Sequence, residues 1–319
     1  MNKADKYLQE LLWDIEHKGV WSKNPRTKWS DGTPANYKSV YNKEYTYDIS
    51  KGEFPITTLR TTPFRGCFEE MRWIYQLQSN VIEDAHESIR PWWKDFVTEK
   101  LYRTDIIGDG DYLDLNEELY SDSVYHFGNP TDYTEVGSIG KTYGYVVKKY
   151  DLMNKLLHNL EHNPESRRNI INLWDNQSQA EDPKALPPCA YMTKWVVRED
   201  VERYVDLTLY QRSRDTVVTA SINPLEYCML QMMVCGHLTW KTGVLHKPGF
   251  LHHKVDDEHV YDRNYWAVKE LLEKQPTGLQ PKIELICEPK NFYDYRWEDF
   301  KISGTEGIEK LSKKLEIAI

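Results

Sequence analysis

The sequence has no excess of positive charge. Its 319 residues hold 41 Lys and Arg against 50 Asp and Glu, a formal net charge of −9. Affinity for nucleic-acid phosphate needs a basic face, so direct nucleic-acid binding is not expected. An anionic small ligand would need a local pocket of Arg and Lys. The five cysteines are Cys67, Cys189, Cys228, Cys235 and Cys287. No two form a CxxC pair and the number is odd, which argues against a disulfide framework or a structural zinc. His252 and His253 lie near carboxylates, but Lys247 and Lys254 crowd them, and no metal site is expected. No run of 18 apolar residues exists, so no membrane span is expected. The opening Met1-Asn2-Lys3-Ala4-Asp5-Lys6 has no apolar stretch behind it, so no signal peptide is expected. The expected setting is reducing and cytoplasmic.

What is present suits a packed α+β protein. Hydrophobic residues make up 40% and aromatics 13%, enough for a sizeable core. Helical spacing of apolar residues predicts helices over 5–17, 68–78 and 151–162. The run 225–238 is apolar nearly all round and predicts a buried helix. Strands are predicted at 45–49, 170–174, 191–197, 205–210 and 283–287, from alternation or β-branched and aromatic content. The polar stretch 21–42 reads as loop. Residues 104–135 hold nine acidic side chains and no Lys or Arg, and read as a surface insertion in a single domain spanning 1–319.

Two segments carry chemistry. Leu186-Pro187-Pro188-Cys189 sets a cysteine behind two prolines. One strand later comes Tyr210-Gln211-Arg212-Ser213-Arg214-Asp215. A thiol has an ordinary pKa of about 8.5 and reacts as the thiolate, so nearby arginines would raise its reactive fraction. Arg212, Arg167 and Arg168 are candidates. Arg167 and Arg168 follow Pro164-Glu165-Ser166; paired guanidinium groups suit a phosphate dianion, although a solvated helix end reads equally well from that turn alone. Asn223 heads the buried helix. Its amide could pair with the N3–H and O4 edge of uracil, or it could simply cap the helix before Pro224. His259 and Tyr261 would share one strand face and could bind a sugar hydroxyl.

Taken in order, these segments resemble the thymidylate synthase and pyrimidine hydroxymethylase family. The resemblance is carried by Glu70 in Glu69-Glu70-Met71-Arg72-Trp73, Trp93, Tyr143-Gly144, Asn163 to Arg168, Pro187-Pro188-Cys189, Tyr210 to Asp215, Asn223, His259-Val260-Tyr261, Phe292 to Phe300, and the closing Ile317-Ala318-Ile319. It implies a large mixed sheet packed against helices and a sheet-to-sheet homodimer. It also implies a pyrimidine nucleoside monophosphate as substrate and 5,10-methylenetetrahydrofolate as one-carbon donor. Cys189, Glu70, Asp215 and Tyr143 would then be catalytic. Arg167, Arg168, Arg212, Ser213, Gln211, Asn223, His259 and Tyr261 would bind substrate, with the Arg167/Arg168 pair supplied by the partner subunit. Trp93, Asp215 and Ile319 would hold the folate.

The chain departs from the synthases at three places. Ala190 stands where they have a histidine after the nucleophile. Tyr145-Val146-Val147 replaces their Gln-Trp-Arg. No arginine matches their N-terminal phosphate loop near Asp31-Gly32-Thr33, where Arg26 or Lys28 could serve. The run His259-Val260-Tyr261-Asp262-Arg263 is similar to phage deoxycytidylate hydroxymethylases, while Asn223 keeps the amide suited to uracil. The expectation is therefore C5 hydroxymethylation of dUMP, as in phages that make 5-hydroxymethyluracil DNA, in which case the setting is the host cytoplasm. The alternatives are thymidylate synthase, a dCMP or CMP hydroxymethylase, and a non-catalytic nucleotide-binding relative.

Overall fold

The structure, a computed structural model, describes residues 1–97, 101–102, 112–113, 137–182, 185–199 and 202–318. The acidic stretch expected over 104–135 lies outside the described residues apart from 112–113, and Ile319 also lies outside them.

The described strands, in chain order, are β1 Val20–Trp21, β2 Tyr37–Asp48, β3 Leu101–Tyr102, β4 Tyr112–Leu113, β5 Ile170–Asn172, β6 Ala190–Glu199, β7 Arg203–Gln211, β8 Arg214–Asp215, β9 His246–Tyr261, β10 Lys282–Leu285 and β11 Phe300–Ser303. The helices are α1 Lys3–Lys18, α2 Phe64–Met71, α3 Arg90–Trp93, α4 Gly144–Lys149, α5 Leu152–His162, α6 Asn176–Glu181, α7 Thr216–Thr219, α8 Ile222–Thr242 and α9 Trp266–Glu273. This is the expected α+β class with a large mixed sheet.

The chain forms two compact units. The first comprises Met1–Phe68, Leu156–Ile171 and Cys189–Ile319, and the second Glu69–Lys155 and Asn172–Pro188. The first unit holds the main sheet, ordered β1-β2-β9-β7-β6-β5, with β8 added beside β9. β2 runs antiparallel to β9, and β6 antiparallel to β7. β7 and β8 both run parallel to β9. Helix α8 supplies much of the core, with Leu225, Met229, Leu230, Met233 and Val234 at 0% exposure. Its apolar residues fall on every side, as a helix buried in a large protein requires.

The register of this sheet positions the chemistry-bearing segments. Ala190, directly after Cys189, pairs with Gln211 across the β6–β7 ladder. Beyond it the Arg212 backbone N–H donates to the Cys189 carbonyl at 2.9 Å. The following residues, Arg214 and Asp215, align with Glu258 and His259. One hairpin and one parallel pairing therefore bring Cys189, Arg212, Asp215 and His259 along a single track.

Two readings of the sequence change here. The loop expected to end at Asn42 ends earlier, because β2 starts at Tyr37 and pairs with β9 as far as Tyr261. Polar residues such as Lys38 and Asn42 hide its alternation; Asn42 lies at φ 55°, between the pairs Tyr41–Asp257 and Lys43–Val255, and the register is the same on both sides of it. The sixteen-residue strand β9 was visible only at its end, around His259 and Tyr261. Its buried positions include His246, His253, Glu258 and His259 rather than aliphatic residues alone. In the second unit, α2 continues into a wider π turn over Arg72–Gln76, a deviation that often marks a functional site. Among the described residues, no helix is long and apolar enough to cross a membrane.

Candidate active site

Cys189 stands between the Pro187-Pro188 turn and the first residue of β6. Two successive prolines offer no N–H to a ladder; β6 starts only after them, with Cys189 just before its first residue. Cys189 is half-buried. Burial pushes its thiol up, and the Arg212 guanidinium opposes only part of that rise. The Arg212 Nη2 lies 3.5 Å from Cys189 Sγ. The structure thus pairs the cysteine with one of the three arginines named from sequence. Arg167 and Arg168 lie in the turn between α5 and β5, and both are exposed. The candidate substitutes for a phosphate-loop arginine, Arg26 and Lys28, are likewise exposed.

Arg212, Ser213 and Asp215 are held in place by the residue between them. Arg214 turns inward, 5% exposed, and meets Glu258 at 0% exposure. Its Nε and Nη2 each lie 2.8 Å from a Glu258 carboxylate oxygen. Thr216 Oγ1 and the Tyr45 hydroxyl donate to the same carboxylate at 2.9 and 3.0 Å. A buried ion pair persists only when such extra hydrogen bonds satisfy it. Sequence reasoning missed this pair. Alternation gave no signal for it, because residues two apart such as Arg212 and Arg214 share a face of an extended segment; the bend at Arg212 interrupts the strand before Arg214 turns inward.

Asp215 caps α7 by accepting the Val218 backbone N–H at 3.1 Å. Burial raises its carboxyl, while His259, the Val217 and Val218 amides and Arg60 oppose that rise. The Arg60 guanidinium donates to the Val217 carbonyl. His259 Nδ1 lies 3.0 Å from Asp257 Oδ1, and its ring packs edge-on against Tyr261, centroids 5.1 Å apart. Burial pushes the Tyr261 phenol up to about 12, and Thr27 shares a hydrogen bond with it. Asn223 is half-buried in the first turn of α8. Its Oδ1 accepts from Gln211 Nε2 at 3.1 Å, and its Nδ2 donates to Glu226 Oε2 at 3.2 Å. Gln211 is only 2% exposed, so its place is behind Asn223.

Three further candidates belong to the second unit. Glu70, on α2, is buried and accepts the Trp93 indole N–H. Trp93 packs edge-on against Trp73 at 5.7 Å and against Tyr143 at 5.3 Å. Tyr143 lies at φ 47°, ψ −109°, a region costly for a residue with a side chain, by about 1–3 kcal/mol. The neighbouring Gly144 has its own constraint: a Cβ there would meet the Ser79 carbonyl oxygen at 2.0 Å. Val146 and Val147, which stand where synthases have polar and aromatic residues, are buried in α4.

Each unit holds residues of a kind that suits a folate. Flat heteroaromatic rings with polar edges suit an aromatic wall beside a carboxylate, here Trp73, Trp93, Tyr143 and Glu70 in the second unit. In the first unit, Asp215 is a half-buried carboxylate able to accept N–H groups.

A family model described as thymidylate synthase matches residues 5–317. The thymidylate synthase of Streptococcus thermophilus is 37% identical over 326 residues, covering 100% of both chains. That of Streptococcus pneumoniae is 37% identical over 321 residues, again covering 100% of both. The solved thermostable thymidylate synthase A from Bacillus subtilis superposes with a TM-score of 0.74 at 28% identity, covering 99% of each chain. These matches overturn the hydroxymethylation reading, which rested on the departures at Ala190, Tyr145-Val146-Val147 and the N-terminal loop together with the His259 to Arg263 run. In the structure Arg263 binds Asp31 and Glu316 at 2.6 and 3.2 Å and covers the Trp29 ring. Asp262 accepts the Trp29 indole N–H at 3.1 Å. That end of the run is a structural tie and carries no information about the reaction. The enzyme is a pyrimidine-nucleotide C5 one-carbon transferase of the methyltransferase kind, with 5,10-methylenetetrahydrofolate as donor. The chain belongs to the thymidylate synthase family.

Proposed function

We propose that the protein converts dUMP to dTMP by reductive methylation, with Cys189 as nucleophile and the whole of 1–319 as one catalytic domain. The observation that carries the reading is the Cys189 thiol held 3.5 Å from the Arg212 guanidinium, within a chain that matches named thymidylate synthases along its full length.

In this reading the Cys189 thiolate adds to C6 of the uracil ring, and the electron pair displaced from the C5–C6 double bond makes C5 nucleophilic. C5 takes the one-carbon unit; loss of the C5 proton sends its electron pair into a double bond to that carbon as the carbon–nitrogen bond to the folate breaks, and a hydride added to that carbon restores the C5–C6 double bond and expels the Cys189 thiolate. When bound, 5,10-methylenetetrahydrofolate supplies both the one-carbon unit and the hydride, and leaves as dihydrofolate. Arg212 lowers the cost of the thiolate and binds the phosphate. Glu70 serves as the carboxylate for proton transfers, oriented by the Trp93 indole. Asp215, Trp93 and Ile319 bind the folate. Asn223 reads the base edge, while His259 and Tyr261 bind the sugar. Tyr143 stands with the catalytic residues, and Ser213 adds a phosphate contact.

We place Arg167 and Arg168 on the phosphate of a partner subunit in a homodimer. Their exposure supports this, since two adjacent guanidinium groups open to the surface are suited to an anion from outside the subunit. Cys189→Ser tests the mechanism. Serine is a far weaker nucleophile at neutral pH, so turnover should vanish while dUMP still binds. Near-normal turnover in that variant would reject Cys189 as nucleophile.

A further inference from the structure

We infer that His253 is a positioning residue for base selection: through Gln211 it fixes the orientation of the Asn223 amide and so favours uracil over cytosine. The inference rests on the dUMP reading above.

The orientations are forced one by one. The Ser213 backbone carbonyl can only accept, and it lies 3.1 Å from the Gln211 amide nitrogen. Gln211 Oε1 is therefore the atom that faces His253 Nε2, at 2.8 Å. The imidazole must carry a proton on Nε2 and donate it. The second hydrogen of Gln211 Nε2 points at Asn223, 3.1 Å away, so the facing atom of Asn223 must be its oxygen. Asn223 Nδ2 then donates to the Glu226 carboxylate at 3.2 Å. The Ser213 backbone carbonyl thus anchors the relay, and it cannot reverse its role.

His253 is built for this task. It is at 0% exposure, aligned with Tyr45 on β2 and with Leu209 on β7. Its ring packs against Tyr45 with centroids 5.8 Å apart. Burial, helped by the Arg214 charge, holds its pKa well below the usual histidine range, so the ring stays neutral and keeps one donor and one acceptor.

The relay leaves Asn223 with one open acceptor position on Oδ1 and one open N–H on Nδ2. That pair matches the N3–H and O4 of uracil. Cytosine offers the reverse, a bare N3 and an amino group, and would need the amide turned over. A turned amide would set Nδ2–H against Gln211 N–H and Oδ1 against the Glu226 carboxylate. Without the His253 donor, the Gln211 oxygen would be buried unpaired, and Gln211 would leave this position to find a partner. Asn223 would then be free to turn.

The test replaces His253 with leucine and measures the KM for dUMP and the inhibition constant of dCMP in one assay. Loss of one buried hydrogen-bonding constraint should reduce the preference for dUMP over dCMP at least about fivefold. In His253→Gln, whose amide can place a donor near the lost Nε2, the preference should return to within about twofold of wild type by the same scale. A merely structural histidine would weaken both nucleotides alike and leave the ratio unchanged, which would overturn the inference. Nitrogen NMR of the wild type provides a second reading independent of whether His253→Leu folds. The neutral Nε2–H tautomer is expected, and the Nδ1–H tautomer would overturn the inference. If the wild type fails to turn over dUMP, the functional reading itself falls. If it turns over dUMP and the His253→Leu ratio is unchanged, only the role of His253 falls.

Discussion

Replacing Glu258 with glutamine should cost this fold about 3 kcal/mol, the lower end of the range for breaking one side of a buried ion pair. Glu258 is at 0% exposure and accepts from Arg214 twice, from Thr216 and from Tyr45. Glutamine keeps the shape but loses the charge and turns an NH2 group toward donors. Arg214 would then be a buried cation without a counter-ion. It would retain the Ala220 carbonyl at 3.2 Å and the Tyr45 ring at 5.4 Å, which is why the lower end of the range applies. The assay is urea unfolding at fixed protein concentration, comparing midpoints at equal slope. The double variant Arg214→Met with Glu258→Leu should recover most of the loss, because matched apolar residues can replace a buried pair at little cost. Glu258→Gln should also raise the KM for dUMP, since Arg214 anchors the segment that carries Arg212, Ser213 and Asp215. A stability loss below about 1 kcal/mol, within the range of an exposed pair, would refute the reasoning.

Arg212→Met should raise the KM for dUMP about tenfold or more, as expected for loss of a charge-assisted hydrogen bond. It should also move alkylation of Cys189 to higher pH: the guanidinium opposes the rise that burial imposes on the thiol, so without it the thiolate forms only at more alkaline pH. A variant whose alkylation profile matches wild type would contradict that pairing. Gly144→Ala should destabilise the protein by about 1–3 kcal/mol, the usual cost of overpacking, because the added carbon would lie 2.0 Å from a backbone oxygen; an unchanged melting temperature would count against the packing described. Mixing inactive Cys189→Ser and Arg168→Ala chains should restore part of the activity through hybrid dimers, and persistent inactivity would argue that Arg168 acts within its own subunit or not at all.

The legible parts of the fold were those where local pattern and tertiary role agree. Helix α1 and the strands β6 and β7 alternate or repeat as their burial requires. Helix α8 is longer than its apolar stretch, because its ends, Ile222 to Pro224 and Trp240 to Thr242, are mixed in character. Strand β9 was mostly illegible because His253 and Glu258 are polar residues made tolerable by partners far away in the chain, Gln211 and Arg214. No local rule announces such a pairing. At the site, Pro-Pro-Cys and the arginine run were enough to bring Cys189 and Arg212 together from sequence. The inward turn of Arg214 and the relay behind Asn223 needed the sheet register. The choice between methyl and hydroxymethyl depends on what reaches the one-carbon unit last, which no short motif encodes. The run from His259 to Arg263 misdirected that choice because two of its five residues, Asp262 and Arg263, serve to tie Trp29 and Asp31 to the sheet.

The most direct test of the central claim is the mass of the product. The protein is incubated with dUMP and 5,10-methylenetetrahydrofolate, and both the nucleotide and the spent folate are weighed by mass spectrometry. The account predicts a nucleotide heavier by a methylene unit, a methyl having replaced the C5 hydrogen, together with one equivalent of dihydrofolate. A nucleotide carrying one further oxygen, with tetrahydrofolate in place of dihydrofolate, would contradict it.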